Sequence, residues 1–313
     1  MRYILKKTCV LCITLLLVSL LAFLAFQVIP ADPVTMLLGT DYTPERAEAL
    51  REAMGLNRGV LVRYWEWLSG FVRGQMGTSY SYAMDVREVL RGKIAVTAAL
   101  SLMSWLLVTA VSIPLGIALA RYKDKPFGRI GVAVNQVFMA IPSFFLGILF
   151  TWLFGMVLRL FVPGSFVPFR ESFWGCLGYL FFPALAISIP KIAKVAKLLR
   201  SAILSEMKQD YVLTAYSHGN SRWMVIRGHV LRNALLPVIT YLAMTLADIM
   251  ASSIIVEQVF VVPGLGRLLV SSISGRDYPV ALAIVVMIAF VVVLMNYLAD
   301  VATQLIDPRI RLS

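Results

Sequence analysis

The sequence is poor in charge, in acid and in histidine. Only 15% of its 313 residues are Asp, Glu, Lys or Arg, against about 25% in soluble proteins. Acids are the scarcer sign, 17 against 29 Lys and Arg. No GxxxxGK[ST], HExxH or GxSxG pattern occurs. Those absences remove the phosphate-cradling loop, the zinc-peptidase helix and the nucleophile elbow, and leave a catalytic reading nothing to stand on. The two histidines, His218 and His229, share one polar stretch and are not placed for an intramembrane metal site or a proton relay, so no metal ligand is assigned. Of three cysteines, Cys9 and Cys12 have CxxC spacing but sit in an apolar run without His or carboxylate. Cys176 stands alone, so no disulfide framework is expected.

Apolar surface is what the chain has in excess: 59% hydrophobic residues and a mean hydropathy of +0.81. A spanning helix needs about 20 mostly apolar residues. Six runs qualify: Thr8–Ile29, Ile94–Ala120, Ile130–Leu158, Trp174–Pro190, Val238–Val256 and Val280–Thr303. The first is long for a signal-peptide core and lacks a clear small-x-small cleavage site, so it reads as a retained span.

An even number of spans puts both termini on one side, and charge selects the side. The two termini, the turn Arg121–Arg129 and the stretch Lys191–Arg232 hold 17 Lys and Arg with four acids, Asp124, Glu206, Asp210 and Asp307. The segment Pro30–Lys93 carries eight of each sign. The positive-inside rule therefore predicts both termini in the cytoplasm. It also accounts for the basic balance without nucleic acid as a partner. The expected class is an all-α membrane protein with six transmembrane helices, N-in/C-in. Residues 1–93 form the first helix and an extracytoplasmic helical segment, and residues 94–313 the core transmembrane domain.

In the outer segment, Thr43-Pro44-Glu45 reads as a helix start, with Thr as cap and Pro at the first helical position. Gly55 ends that helix. A second is predicted over Val60–Val72, where Leu61, Tyr64, Trp65, Leu68 and Phe71 recur at helical spacing. Its apolar face must meet the membrane surface, the spans or a partner. After the fifth span, Val261–Gly266 breaks the chain, and Arg267–Ile273 reads as a short helix. Irregular backbone near membrane depth is stable only against protein or water, so this stretch is expected to line or cap a path; an ordinary outside loop is the alternative.

Asp248 lies midway along the fifth span, where an acid costs about 2.5 kcal/mol or more. It either faces a water-filled path or a partner's base, or makes a helix–helix hydrogen bond. Lys191, Lys194, Lys197 and Arg200, at the inner end of the fourth span, read as snorkelling side chains with no transport role.

The polar, basic insert Ser201–Leu236 is the most informative stretch. It is too polar to span and has two amphipathic halves. Ile203, Leu204, Met207, Tyr211, Val212, Ala215 and Tyr216 share one helical face, and Trp223, Ile226, Val230, Leu231 and Ala234 another. Gly219 between them permits positive φ. Pro237 is expected in the first turn of the fifth span. Such a pair fits a partner's groove or lies on anionic lipid.

The insert resembles the EAA-type loop of ABC importer permeases, in the form seen in the dipeptide, oligopeptide and nickel family. The matching residues are Asp210, Tyr211, Thr214, Ala215, Gly219, His229, Leu231, Arg232, Asn233, Ala234, Leu235, Leu236 and Pro237. Glu257, Pro263-Gly264-Leu265-Gly266-Arg267, Arg276-Asp277-Tyr278-Pro279 and Asp307-Pro308-Arg309 match the family's later motifs, and Thr43-Pro44-Glu45, Met54-Gly55-Leu56, Tyr64 with Trp67, and Gly77-Thr78-Ser79 its outer segment. The resemblance covers nearly the whole chain in order. Leu213, Tyr216-Ser217-His218, Asn57-Arg58-Gly59 and Gln75-Met76 depart from it.

The resemblance implies a permease subunit of the bacterial inner membrane that forms half of a path for peptides or similar small polar solutes, nickel and metal chelates among them. It implies a second homologous permease, two ATP-binding subunits docked on the insert, and an extracytoplasmic substrate-binding protein. No cofactor is expected in this chain; ATP and Mg belong to the ATPase partners. Asp210, Tyr211, Thr214, Ala215, Gly219, His229, Arg232, Asn233 and Pro237 are the expected coupling residues. Asp248, Glu257, Pro263, Gly264, Gly266, Arg276 and Asp277 are candidates for the path or its outer gate. An ion-coupled secondary transporter and a non-transporting membrane scaffold are the alternatives.

Overall fold

A computed structural model describes residues 2–28, 34, 38–53 and 55–306. The motif residues Met54 and Asp307-Pro308-Arg309 lie outside the described residues, as does Ile29 at the end of the first expected span. The helices are α1 (Arg2–Val28), α2 (Pro44–Ala53), α3 (Val60–Val72), α4 (Val86–Leu90), α5 (Lys93–Arg121), α6 (Pro126–Ala140), α7 (Ser143–Phe150), α8 (Phe173–Glu206), α9 (Asp210–Ser217), α10 (Arg222–Val225), α11 (Leu231–Val259), α12 (Leu265–Ser274) and α13 (Tyr278–Ile306). The π-helical stretches Thr151–Val157 and Ile226–Val230 continue α7 and join α10 to α11.

Among the described residues, five helices are long and apolar enough to cross a membrane: Leu5–Gln27, Val86–Arg121, Phe173–Glu206, Arg222–Phe260 and Tyr278–Val301. The expected span Ile130–Leu158 is not one straight helix. It is the pair Pro126–Ala140 and Ser143–Val157, bent by 94°, which makes a sixth span if counted as one. Pro142 explains the break. Its ring removes an amide donor and pushes the preceding residue out of the helical region, and Ile141 has ψ 126°.

The chain divides into two compact units. One comprises Met1–Val96 with Pro263–Val293. Here Thr43 caps α2 as expected, its Oγ1 accepting from Arg46 N at 3.3 Å. Gly55, at φ +65°, ends that helix. On α3 the spans take the apolar face: Phe23, Tyr64, Leu282 and Val286 form a buried cluster, with Trp67, Leu68 and Phe71 packed against it. Tyr64 Oη lies 2.8 Å from Ser19 Oγ, so a polar contact fixes the depth of α3 along α1. Leu61 and Trp65, predicted on the same face, are 65% and 59% exposed. Thirteen residues make more than three turns, and the contact with α1 and α13 covers only one side.

The other unit comprises Thr97–Val262 with Leu294–Ser313. Its axis is α8, which packs against α6, α7 and α11. A few hydrogen bonds set register inside the apolar packing. Asn135 Nδ2 donates to Ala193 O at 2.9 Å, Ser188 Oγ to Ser104 O at 3.2 Å, and Trp105 Nε1 to Leu242 O at 2.9 Å. Helices α5 and α8 cross closely at Gly116, where an added Cβ would come within 2.9 Å of Leu199 Cβ and 3.0 Å of Ala196 O. Small residues allow backbones to approach where lipid provides no hydrophobic drive. Gly116→Val is expected to wedge this crossing apart and destabilise the chain by about 1–3 kcal/mol, measured as a lower melting temperature in detergent.

Candidate functional site

The insert folds as a break, a short helix, a turn and a return. Helix α8 runs to Glu206, and α9 follows after a turn. Gly219 then reverses the chain at φ +78°, with no atom within 4 Å of where a Cβ would sit. Its requirement is therefore backbone conformation, not space. Asn220 Nδ2 donates to Ala215 O at 3.0 Å, and Ser221 Oγ accepts from Met224 N at 3.4 Å, so side chains close both sides of the turn.

Val212, Ala215, Val225, Ile226, Val230 and Ala234 are buried. Asp210, Tyr211, Thr214, Gly219, His229, Arg232, Asn233 and Pro237 are exposed. Of the nine predicted coupling residues, only Ala215 points into the protein. The amphipathic reading holds for Ile203, Val212 and Ala215, and for Ile226, Val230 and Ala234; Trp223 and Tyr216 are instead on the surface. Arg121 lies over the Trp223 ring at 4.8 Å, and Arg222 pairs with Asp124 at 3.2 Å. These contacts tie the insert to the turn after α5.

Pro237 departs from expectation. It sits inside α11, which begins at Leu231 and continues without interruption from the insert through the π-helical stretch. The wider π turn and the missing proline amide occur within two turns of each other, where the ladder is already irregular. The second half of the insert and the fifth span are therefore one rod.

Glu206, which sequence reasoning passed over, joins the two halves. Tyr211 Oη donates to Glu206 Oε2 at 2.6 Å. Asn233 Nδ2 approaches the same oxygen at 3.5 Å and Tyr211 Oη at 3.4 Å. The ends of α8, α9 and α11 thus meet at one carboxylate. Burial, then the bond to Glu206, push the Tyr211 phenol above its ordinary pKa, with Asn233 opposing. Adjacent Asp-Tyr and Arg-Asn motifs on the two halves were the signal that could have pointed to a shared acceptor.

The candidate path residues fall into three different settings. Glu257 is fully buried and accepts from Thr97 Oγ1 at 2.7 Å. Just beyond it the helix ends in a strained turn: Val261 has φ +60°, uncommon for a β-branched residue. Tyr179 Oη donates to Phe260 O and accepts from Gly164 N. In the other unit, Pro263 and Gly264 precede α12, which starts two residues before the predicted Arg267 and includes Gly266. Asp277, also fully buried, follows Arg276 at φ +55° and accepts from Ser79 Oγ, Tyr80 N and Ser81 N. It is the hub that holds the outer loop Gly77–Asp85. Burial pushes the neighbouring Tyr80 phenol up, Arg63 opposes and Asp277 adds.

Asp248, by contrast, is exposed on α11 and makes no side-chain hydrogen bond among the described residues, so the helix–helix bond is not formed. Lys191 does not snorkel. Its Nζ donates to Ser252 Oγ at 2.9 Å, joining α8 to the outer half of α11. Glu206, at the end of α8, lies about 22 Å further along the helix at 1.5 Å per residue.

The long apolar helices and the basic insert between two of them are those of a membrane protein. The chain matches the family described as "Binding-protein-dependent transport system inner membrane component" over residues 112–312, and its N-terminal companion family over residues 1–101. The chain belongs to this family. It is 32% identical to the oligopeptide transport system permease protein AppB of Bacillus subtilis, covering 98% of each chain. It is 30% identical to the dipeptide transport system permease protein DppB of Lactococcus lactis, covering 99% of each. Among solved structures, an inward-facing methionine ABC transporter, MetNI, aligns with 70% of this chain and 96% of its own at a TM-score of 0.56 and 16% identity, a likeness of fold.

Family membership makes the chain a permease component of an ABC transport system and a multi-pass membrane protein. Two outcomes follow from the contacts above. Tyr211→Phe is expected to loosen the insert by about 1 kcal/mol, a charge-assisted bond discounted for exposure, read as faster amide exchange over 210–217 with α8 unchanged. Asp277→Asn places an amide donor among donors and is expected to cost about 1.5–3 kcal/mol, seen as protease sensitivity of residues 77–85.

Proposed function

We propose that this chain is one of two permease subunits of an ATP-driven importer for peptides or similar small polar solutes in the bacterial inner membrane. The names of its relatives support the solute class, with nickel and metal chelates as further members of it. Both termini and the insert 201–236 face the cytoplasm. A second, homologous permease completes the path, two ATP-binding subunits dock on the insert, and an extracytoplasmic binding protein delivers the solute. ATP and Mg act on the ATPase subunits, and this chain itself needs no cofactor.

One observation carries the reading: eight of nine coupling residues are exposed on an insert that is continuous with a membrane helix. Interfacial helices lying on lipid would turn Trp223, Ile226 and Val230 outward together; here Ile226 and Val230 are buried. Motion imposed at Asp210, Tyr211, Thr214, Gly219, His229, Arg232 or Asn233 passes through the Glu206 junction to the fifth span, as rigid-body coupling requires. Ala215 and Pro237 shape the element from within. Asp248 faces the path. Glu257 belongs to the outer end of the fifth span, while Pro263, Gly264, Gly266, Arg276 and Asp277 shape the outer element that follows it.

The test is purification of the chain from its native membrane in mild detergent, with mass spectrometry of the accompanying proteins. A second permease and P-loop ATPases are expected. Gly219→Val puts a β-branched residue at positive φ, a strain of about 1–2 kcal/mol. It should reduce ATPase recovery about tenfold while the two permeases stay together. Uptake abolished by an ionophore but insensitive to ATP depletion would point to a secondary transporter instead. A stable chain recovered without any ATPase would point to a scaffold.

A further inference from the structure

Lys191 is the cation that the coupling and gating roles leave unexplained. It lies 15 residues from the C-terminal end of α8 and 18 from its N-terminal end, within a helix long and apolar enough to cross a membrane. A lysine there is costly unless it is paired or faces water. It is half-buried and gives one of its three N–H donors to Ser252 Oγ at 2.9 Å. Ser252 Oγ in turn donates to the backbone carbonyl of Asp248 at 2.7 Å, which orients the hydroxyl oxygen toward the ammonium. One turn away on α11, Asp248 exposes its carboxylate.

The Asp248 carboxylate is near enough to act electrostatically on both Lys191 and Tyr241. Yet the two charges do not form a contact ion pair; among the described residues the Asp248 oxygens are free and the ammonium keeps two donors. A contact pair would neutralise itself. Held apart across Ser252, the wall instead offers one open cation and one open anion about one helical turn apart. Lys194, one turn along α8, is exposed as well.

We propose that Lys191 and Asp248 form a zwitterion-binding element on the wall of the translocation path, with Ser252 as the spacer that keeps them apart. Lys191 receives the carboxylate of a passing solute and Asp248 its ammonium. The solute class is one carrying both charges at neutral pH, such as a peptide with free ends. This assignment rests on the importer reading above.

The experiment uses the complete transporter in proteoliposomes with its binding protein. Uptake is measured for three probes: trialanine with free ends, its N-acetyl form and its C-terminal amide. The binding protein is the same in every arm, so any change in the ratios between probes between variants arises in the membrane chain. Lys191→Gln is expected to shrink the preference over the amide about tenfold, the equivalent of one charge-assisted hydrogen bond. Asp248→Asn should do the same for the N-acetyl probe, and the double variant, in which both sites are neutral, for both.

Ratios unmoved in variants that still transport would overturn the assignment, as would an equal fall for all three probes, the mark of a structural role. Gel filtration of the intact complex separates that fall from failed assembly, and Lys191→Arg, which retains the cation, should restore the preference over the amide. Absence of ATP-dependent uptake in the unsubstituted complex would overturn the importer reading, and this element with it.

Discussion

Hydrocarbon does not hydrogen-bond, so every place where a membrane helix breaks must find its partners within the protein. That constraint organises this chain. At the end of α11 the carbonyl of Phe260 takes the Tyr179 phenol, and Val262 N returns to Glu257 O at 2.8 Å. Glu257, a buried acid, has Thr97 for its carboxylate. At the start of α13 the buried Asp277 serves two backbone amides and a hydroxyl. Glu257, Tyr179 and Asp277 each stand beside a break that needs them.

The same economy separates sealed acids from an open one. Glu257 and Asp277 are sealed, one held by a hydroxyl and the other by a hydroxyl and two backbone amides. Asp248 is neither: it is exposed and makes no side-chain hydrogen bond among the described residues. A buried carboxylate with its donors in place stabilises a turn; an open one has its valence left for something that moves past. Residue type and position, which do not report burial, group the three as path or gate candidates.

The insert shows how a short polar stretch can gain stiffness without a large core. Its apolar residues number only a handful, but Glu206 gathers the ends of three helices, and Gly219 sets the return angle. Because α11 continues out of the membrane into the insert, the exposed residues are attached to a span rather than to a loop. In the proposed importer, that continuity is what turns a push by a partner into displacement of a transmembrane helix.

The sequence by itself determined the membrane class, the α2 cap at Thr43, the turn at Gly219 and the family, because each rests on local rules: apolar length, capping chemistry, positive φ and motif order. It also located the insert and most of its exposed residues. What only the tertiary structure decided depends on partners distant in the chain. The size of the bend at Pro142, 94°, and the continuation of the helix through Pro237 are examples. The face of α3 was chosen by Ser19, and Asp277 by Ser79, 198 residues away. Lys191 looked like one of four lysine-type anchors at a helix end. Ser252, on another helix, turns it inward, since an ammonium within a membrane-spanning helix goes to the nearest acceptor, and periodicity cannot say where that acceptor is.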